Sequence, residues 1–329
     1  MNLAKSMNTY IKIIKKACEI TLAQKEWWAL AALAGLVHTG AIFNMLIRSF
    51  LNLQPAAELN ATALQQISPF FSWVLSYARN LTLLETPHLI AYILVSITIL
   101  VLIALFALVA QYILLFIISK GTKNITWKMI RKKLHHIHVL RLFSVNAMMR
   151  ILFTIIIGLT TLALGMLITD VLFLDAIWSV GIYTIALPLA FIVQIFGMLC
   201  LIQLVKKDMS LGKMMNNVTS LLRDHWLAAF ELALILFVIN FITSGILFTA
   251  LICFAILAGI AFEVALAVGS YILMSIVTFL SLLITAAIIL VYAGAITTFN
   301  YSAWTKLSDH LSRYEHFPAI EHALKKLLK

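Results

Sequence analysis

The stretch from residue 227 to residue 261, LAAFELALILFVINFITSGILFTALICFAILAGIA, carries a single charged side chain, Glu231. A helix rises about 1.5 Å per residue, and about 20 apolar residues cross a hydrocarbon core about 30 Å thick. The stretch is therefore long enough to span a bilayer. Five more segments qualify by the same measure: 27–51, 87–118, 147–172, 177–205 and 268–299. Several exceed the minimum, which implies tilt or extension into the cytoplasm. The expected fold class is an all-α membrane protein with six transmembrane helices.

Composition agrees. Of 329 residues, 63% are hydrophobic and 11% charged, whereas a soluble domain carries about 45–50% apolar and about 25% charged residues. Too few polar side chains remain to cover a water-facing surface. The net charge of +11 does not point to a nucleic-acid partner, because Lys and Arg sit in short segments between apolar runs, the pattern of loops facing anionic lipid. Cys18, Cys200 and Cys253 are too scattered for a disulfide framework or a zinc site. The basic N-terminal stretch resembles a signal peptide, but its apolar run starts only at Trp27, is about 20 residues long and lacks a convincing cleavage site, so it reads as a retained first span.

The basic residues set an expected orientation. Lys5, Lys12, Lys15, Lys16 and Lys25 precede the first span. Lys120, Lys123, Lys128, Arg131, Lys132, Lys133, Arg141 and Arg150 lie between or beside spans two and three. Lys206, Lys207, Lys213 and Arg223 separate spans four and five, and Lys306, Arg313, Lys325, Lys326 and Lys329 follow span six. Only Arg48 and Arg79 of the 24 fall on the other side. The acidic residues Glu58, Glu85, Asp170, Asp175 and Glu263 lie in or near the opposite connections. The positive-inside rule then puts both termini in the cytoplasm, with localisation to a bacterial inner membrane expected.

The segment before each odd-numbered span has amphipathic helical spacing. Tyr10, Ile13, Ile14, Ala17 and Cys18 share a face against Lys12, Lys15, Lys16 and Glu19. Trp127, Ile130, Leu134 and Ile137 oppose Arg131, Lys132 and Lys133. Ser210 is a plausible N-cap for a face of Leu211, Met214, Met215, Val218 and Leu222. Each helix runs through a bulky aromatic (Trp27 and Trp28, Phe143, Trp226) into its span, as suits the membrane interface. The chain thus reads as three units, each an interfacial helix followed by a helix pair. The expected divisions are residues 1–26 as a cytoplasmic interfacial helix, 27–303 as the six-span domain, and 304–329 as a C-terminal amphipathic segment carrying Trp304, Leu307, Leu311 and Tyr314. Within the domain fall the external segment 52–86 and cytoplasmic segments 120–146 and 206–226. Pro188 should kink span four near Thr184. Ala31 with Gly35, and Gly158 with Gly165, would permit close helix contact.

The stretch from Leu204, LVKKDMSLGKMMNNVTSLLRDHWLAAFELALIL, resembles the repeated unit of the glycerophosphoryl diester phosphodiesterase membrane domain and of YciC-like bacterial inner-membrane proteins. The closing LVYAGAITTFNYSAW is similar to the end of that domain. The resemblance covers most of the chain as a pattern and implies a membrane-domain architecture. It transfers no catalytic residue, and the phosphodiesterase domain of those enzymes has no counterpart here.

Polar residues inside spans are costly and hence functional candidates. His38, Asn44, Gln194 and Asn240 form a candidate intramembrane polar cavity, and Gln111 lies in span two. Interhelical hydrogen bonding, worth on average about 0.6 kcal/mol each, is the plainer role. Glu231, Arg150 and Asp170 lie near span ends, where they could reach the headgroups. Candidate headgroup contacts are Lys12, Lys15, Lys16, Arg131, Lys132, Lys133, Lys206 and Lys207. His135, His136 and His138 lack a neighbouring Asp, Glu or Cys to complete a metal shell. Ile67, Phe70, Phe71, Val74, Tyr77 and Leu81 make an apolar face in the external segment, and Asn60 and Asn80 open formal glycosylation sequons. There is no P-loop, dinucleotide fingerprint, nucleophile elbow or HExxH motif, so neither a cofactor nor catalysis is expected.

These features point to a non-enzymatic structural or accessory membrane protein. Its expected partners are anionic membrane lipids and other membrane proteins or a second copy of itself, with no nucleic acid. A transporter or permease subunit for a small or amphiphilic substrate is the alternative. A lipid-modifying enzyme using the His135–His138 cluster is a third reading.

Overall fold

A computed structural model describes residues 2–35, 86–121, 139–166, 172–207 and 209–312. Among these residues there are helices and no strands. We label them α1 (Asn2–Ala23), α2 (Trp28–Gly35), α3 (Thr86–Lys120), α4 (Val139–Met166), α5 (Leu172–Lys207), α6 (Leu211–Ala267) and α7 (Tyr271–Leu311), with a 3₁₀ turn at Lys25–Trp27 between the first two. Stretches of α3, α4, α5, α6 and α7 are long and apolar enough to cross a membrane. The first expected span is described only as far as Gly35, and the external segment lies outside the described residues as far as Glu85. Among the described residues the chain is thus all-helical, with five helices long and apolar enough to mark it as a membrane protein.

Two breaks fall where an amphipathic segment meets an apolar one. Gln24 leaves helical geometry (φ −113°, ψ 35°) before the 3₁₀ turn. Inside α6, His225 is non-helical (φ −135°, ψ 27°), one residue before Trp226. The segment ahead of that second break buries Met214 and Val218 and leaves Lys213 and Arg223 exposed, a one-sided stripe of four-residue period. Ser210 stands at the expected N-cap position, although its side chain makes no capping hydrogen bond there.

The chain divides into two compact units. One comprises Val37–Phe106 and Val139–Gly197. There Met149, Phe153 and Ile156 of α4 pack on Ala186 and Ala190 of α5, flanked by Met148, Ile157, Leu187, Val193 and Phe196. A β-carbon at Gly197 would collide with the Met149 methyl, so the missing side chain lets α4 approach. α5 is one helix through Pro188.

The other unit comprises Met1–Leu36, Ala107–His138 and Met198–Lys329. Its centre is the C-terminal half of α7, whose buried residues all lie between Gly294 and Leu311. α1, α2 and α6 pack against α7, and Ile113 and Ile117 of α3 pack with Trp27 and Leu30. α2 meets α7 through small residues. Ala31 and Ala34 are fully buried, a β-carbon at Gly35 would lie 2.8 Å from Thr297 Oγ1, and one at Gly294 would strike the Trp28 carbonyl. The expected close contact at Ala31 and Gly35 is therefore present, whereas Gly158 has open space around it.

Beyond this packed half, the α6–α7 hairpin is bare. Phe241, Phe248, Leu257 and Ile260 of α6 and Ile272, Phe279 and Leu282 of α7 are exposed. From Phe241 to Phe262 the helix runs about 32 Å at about 1.5 Å per residue, close to the thickness of a hydrocarbon core. The helix runs unbroken across the expected 303/304 boundary. α7 continues to Leu311, with Trp304, Leu307 and Leu311 buried alongside Tyr301, Ser302, Ala303, Thr305 and Ser308. Of the expected amphipathic segment 304–329, residues up to 312 are described, and their burial extends beyond the Trp304, Leu307 and Leu311 stripe to Thr305 and Ser308.

Candidate functional site

Among the described residues of the second unit, interhelical polar contacts draw α1, α3, α5 and α6 onto one another and onto α7. Tyr10, on the buried face of α1 with Ile13, Ala17 and Thr21, donates its hydroxyl to Glu231 Oε2 at 2.6 Å, with the Ala228 carbonyl at 3.5 Å. Burial raises the Tyr10 hydroxyl well above the ordinary tyrosine range, and the Glu231 carboxylate beside it adds to the rise. Glu231 Oε1 is buried without a hydrogen-bond partner.

Gln111 of α3 is fully buried and donates Nε2 to the Tyr301 hydroxyl at 2.7 Å. Lys206, at the end of α5, donates to Asp309 Oδ1 at 2.6 Å and to the Thr305 carbonyl at 3.2 Å. Lys306 stands 3.9 Å from the other Asp309 oxygen. Between α6 and α7, Asn240 Nδ2 donates to Asn300 Oδ1 at 3.3 Å, and the Tyr292 and Ser244 hydroxyls share a bond of 2.8 Å. Gln203 Oε1, Asn240 Oδ1, Ser302 Oγ and Thr305 Oγ1 are buried without partners, which leaves the region imperfectly satisfied by protein alone.

Two residues expected at the headgroups have protein partners. Glu231 is held by Tyr10, and the Lys206 ammonium is engaged by Asp309, with its side chain 18% exposed. Lys12, Lys15, Lys16 and Lys207 are exposed.

Of the candidate cavity, His38 and Asn44 lie outside the described residues, while Gln194 and Asn240 belong to different units. Arg131, Lys132, Lys133 and the histidines at 135, 136 and 138 also lie outside them. Among the described residues no group of three or more His, Cys, Asp or Glu is placed to hold a metal. Sequence spacing marked Tyr10 only as part of an apolar face and did not single out Tyr301, Asn300 or Asp309. Their one signal was a polar cluster, TTFNYSAWTKLSD, closing an otherwise apolar helix.

No protein-family model, curated protein or solved structure matches this chain.

Proposed function

We propose that this chain is a non-enzymatic polytopic protein of a bacterial inner membrane, with both termini cytoplasmic. It acts as a structural or accessory factor that receives anionic lipid or a partner protein on basic helices. The observation that carries the reading is the two-sidedness of α1. Its Tyr10, Ile13 and Ala17 face is buried against the bundle, while Lys12, Lys15 and Lys16 point outward and offer charge to an anionic surface. The break at His225 gives the segment ahead of Trp226 the same design. That supports a chain built of interfacial helices leading into helix pairs, with a sixth span at 27–51, in the manner of the glycerophosphoryl diester phosphodiesterase membrane domain.

The test replaces Lys12, Lys15 and Lys16 together by Glu and measures anionic phospholipid retained on the purified protein by native mass spectrometry. The reading expects a clear loss. Unchanged retention, together with unchanged cross-linking to neighbouring membrane proteins in cells, would sink it.

One observation favours the transport alternative. The unpartnered Asn240 side-chain oxygen Oδ1 lies beside the amide that donates to Asn300, on a polar seam between α6 and α7. Solute movement in liposomes that Asn240→Ala or His38→Ala abolishes would replace the accessory reading.

A further inference from the structure

We propose that α1 is a hinged strap, latched over the polar half of α7 by the Tyr10–Glu231 hydrogen bond and able to open without unfolding the bundle. The inference does not depend on what the outward lysines bind. Three features carry it.

The first is a pivot. α1 ends at Ala23, and the chain turns through non-helical Gln24 and one 3₁₀ turn before α2 begins. Trp28 Nε1 donates to the Thr21 carbonyl at 3.1 Å, which fastens the end of α1 across the turn. Motion about this point swings the part of α1 where Tyr10 lies. Helix-terminal residues that absorb a backbone change are the usual hinges of such movements.

The second is the latch. Tyr10 lies several helical turns from Gln24, too remote for the pivot alone to hold it down. Its hydroxyl instead grips Glu231, six residues past the break at His225. The bond therefore joins the helix ahead of one break to the helix behind the other.

The third is the surface beneath. α1 packs on α7, whose buried stretch includes Thr297, Thr298, Asn300, Ser302, Thr305 and Ser308. Ser302 and Thr305 hydroxyls lack partners when packed, and so does Glu231 Oε1. Glu231 is the one of these shown in contact with α1, and water reaching its Oε1 on opening recovers a hydrogen bond that the closed state leaves unmade. An apolar surface would resist opening far more strongly. From Thr9 onward, where its burial is described, the strap's buried face is also slight: Tyr10 and Ile13 are bulky, and Ala17 and Thr21 are small.

Hydrogen exchange on the full chain in nanodiscs, read by mass spectrometry, tests this. Amides of residues 9–21 should exchange faster than those of residues 297–311, through an opening of α1 alone. Tyr10→Phe and Glu231→Gln should each speed exchange of residues 9–21 about tenfold. The double variant should add little, because both remove one bond. A bismaleimide cross-link between Tyr10→Cys and Glu231→Cys, in a chain whose native cysteines are replaced by serine, should suppress that exchange and leave residues 297–311 unaffected. If residues 9–21 of the unaltered protein exchange as slowly as residues 297–311, α1 is a fixed part of the bundle and the proposal fails, whether or not the variants fold. It also fails if either variant loosens both stretches equally.

Discussion

The Tyr10 hydroxyl donates to Glu231 Oε2 at 2.6 Å across 221 positions of sequence, joining the N-terminal helix to the start of the apolar part of α6. Hydrogen bonds to charged groups contribute about 1.5–3 kcal/mol when buried, and Glu231 is only half-buried. Tyr10→Phe should therefore lower stability by about 1–2 kcal/mol, read from thermal or SDS-induced unfolding in detergent. A variant as stable as the parent would remove this bond from the forces holding the bundle.

The same pair predicts a pH response. Folding raises the Tyr10 pKa above its ordinary value of about 10, through burial and the neighbouring carboxylate. The folded state therefore holds this proton more tightly than the unfolded state. Its contribution is fully present below about pH 10 and is lost as pH climbs through the folded value. The melting temperature should show a Tyr10-dependent fall only above about pH 10, and Tyr10→Phe should remove that component. An identical alkaline profile for both proteins would contradict the assignment.

How much of this was legible in sequence depends on the range of the interaction. Period and length are local, so the span-length helices and the Met214–Val218 face could be read directly. The non-helical Gln24 and His225 were not, since each amphipathic helix is expected from its spacing to run through its aromatic into the span. Periodicity says which face of α1 is apolar but not which helix receives it. Tyr10 with Glu231 and Gln111 with Tyr301 are pairs far apart in the chain, and no local pattern links them. The burial at the end of α7 was hidden for a related reason. Trp304, Leu307 and Leu311 form a stripe, but helices from distant parts of the chain also bury Ser302, Thr305 and Ser308. Lys206 looked like any loop-flanking lysine because Asp309, its partner, lies 103 residues later.

The structure also separates glycines that hold helices together from those that do not, and Gly294 was not among those picked out by spacing. Gly294→Ala would drive a β-carbon into the Trp28 carbonyl, an atom that cannot rotate away. Overpacking of this kind costs about 1–3 kcal/mol, so the variant should melt earlier and loosen α2. Gly158→Ala meets nothing within 4 Å and should be neutral or slightly stabilising, since Ala favours helix by up to about 1 kcal/mol. Equal melting temperatures for the two would mean that α2 does not pack on α7 at Gly294.

Lys206 and Asp309 should couple weakly but measurably. Their side chains are 18% and 36% exposed, so water screens the pair, and about 1 kcal/mol is the expected scale. In a double-mutant cycle of Lys206→Met and Asp309→Asn, the coupling should be of that order. Part of it is blunted because Lys306 stands 3.9 Å from the other Asp309 oxygen. Strict additivity would show that the contact does not contribute to joining α5 to α7.

The native cysteines report how the bundle meets the membrane. Cys18 is exposed on α1, Cys200 is buried in α5, and Cys253 is exposed on the bare part of α6. Exposure means water for Cys18 but hydrocarbon for Cys253 if the bare hairpin lies in the bilayer. Maleimides react with the thiolate, which forms in water and not in lipid. A membrane-impermeant maleimide applied to the face bearing α1 should label Cys18 within minutes. Cys200 and Cys253 should become reactive only after denaturation in SDS, Cys200 because protein covers it and Cys253 because lipid does. Labelling of Cys253 in intact membranes as fast as Cys18 would mean that the exposed stretch of α6 faces water, and the hairpin could not then be a membrane span.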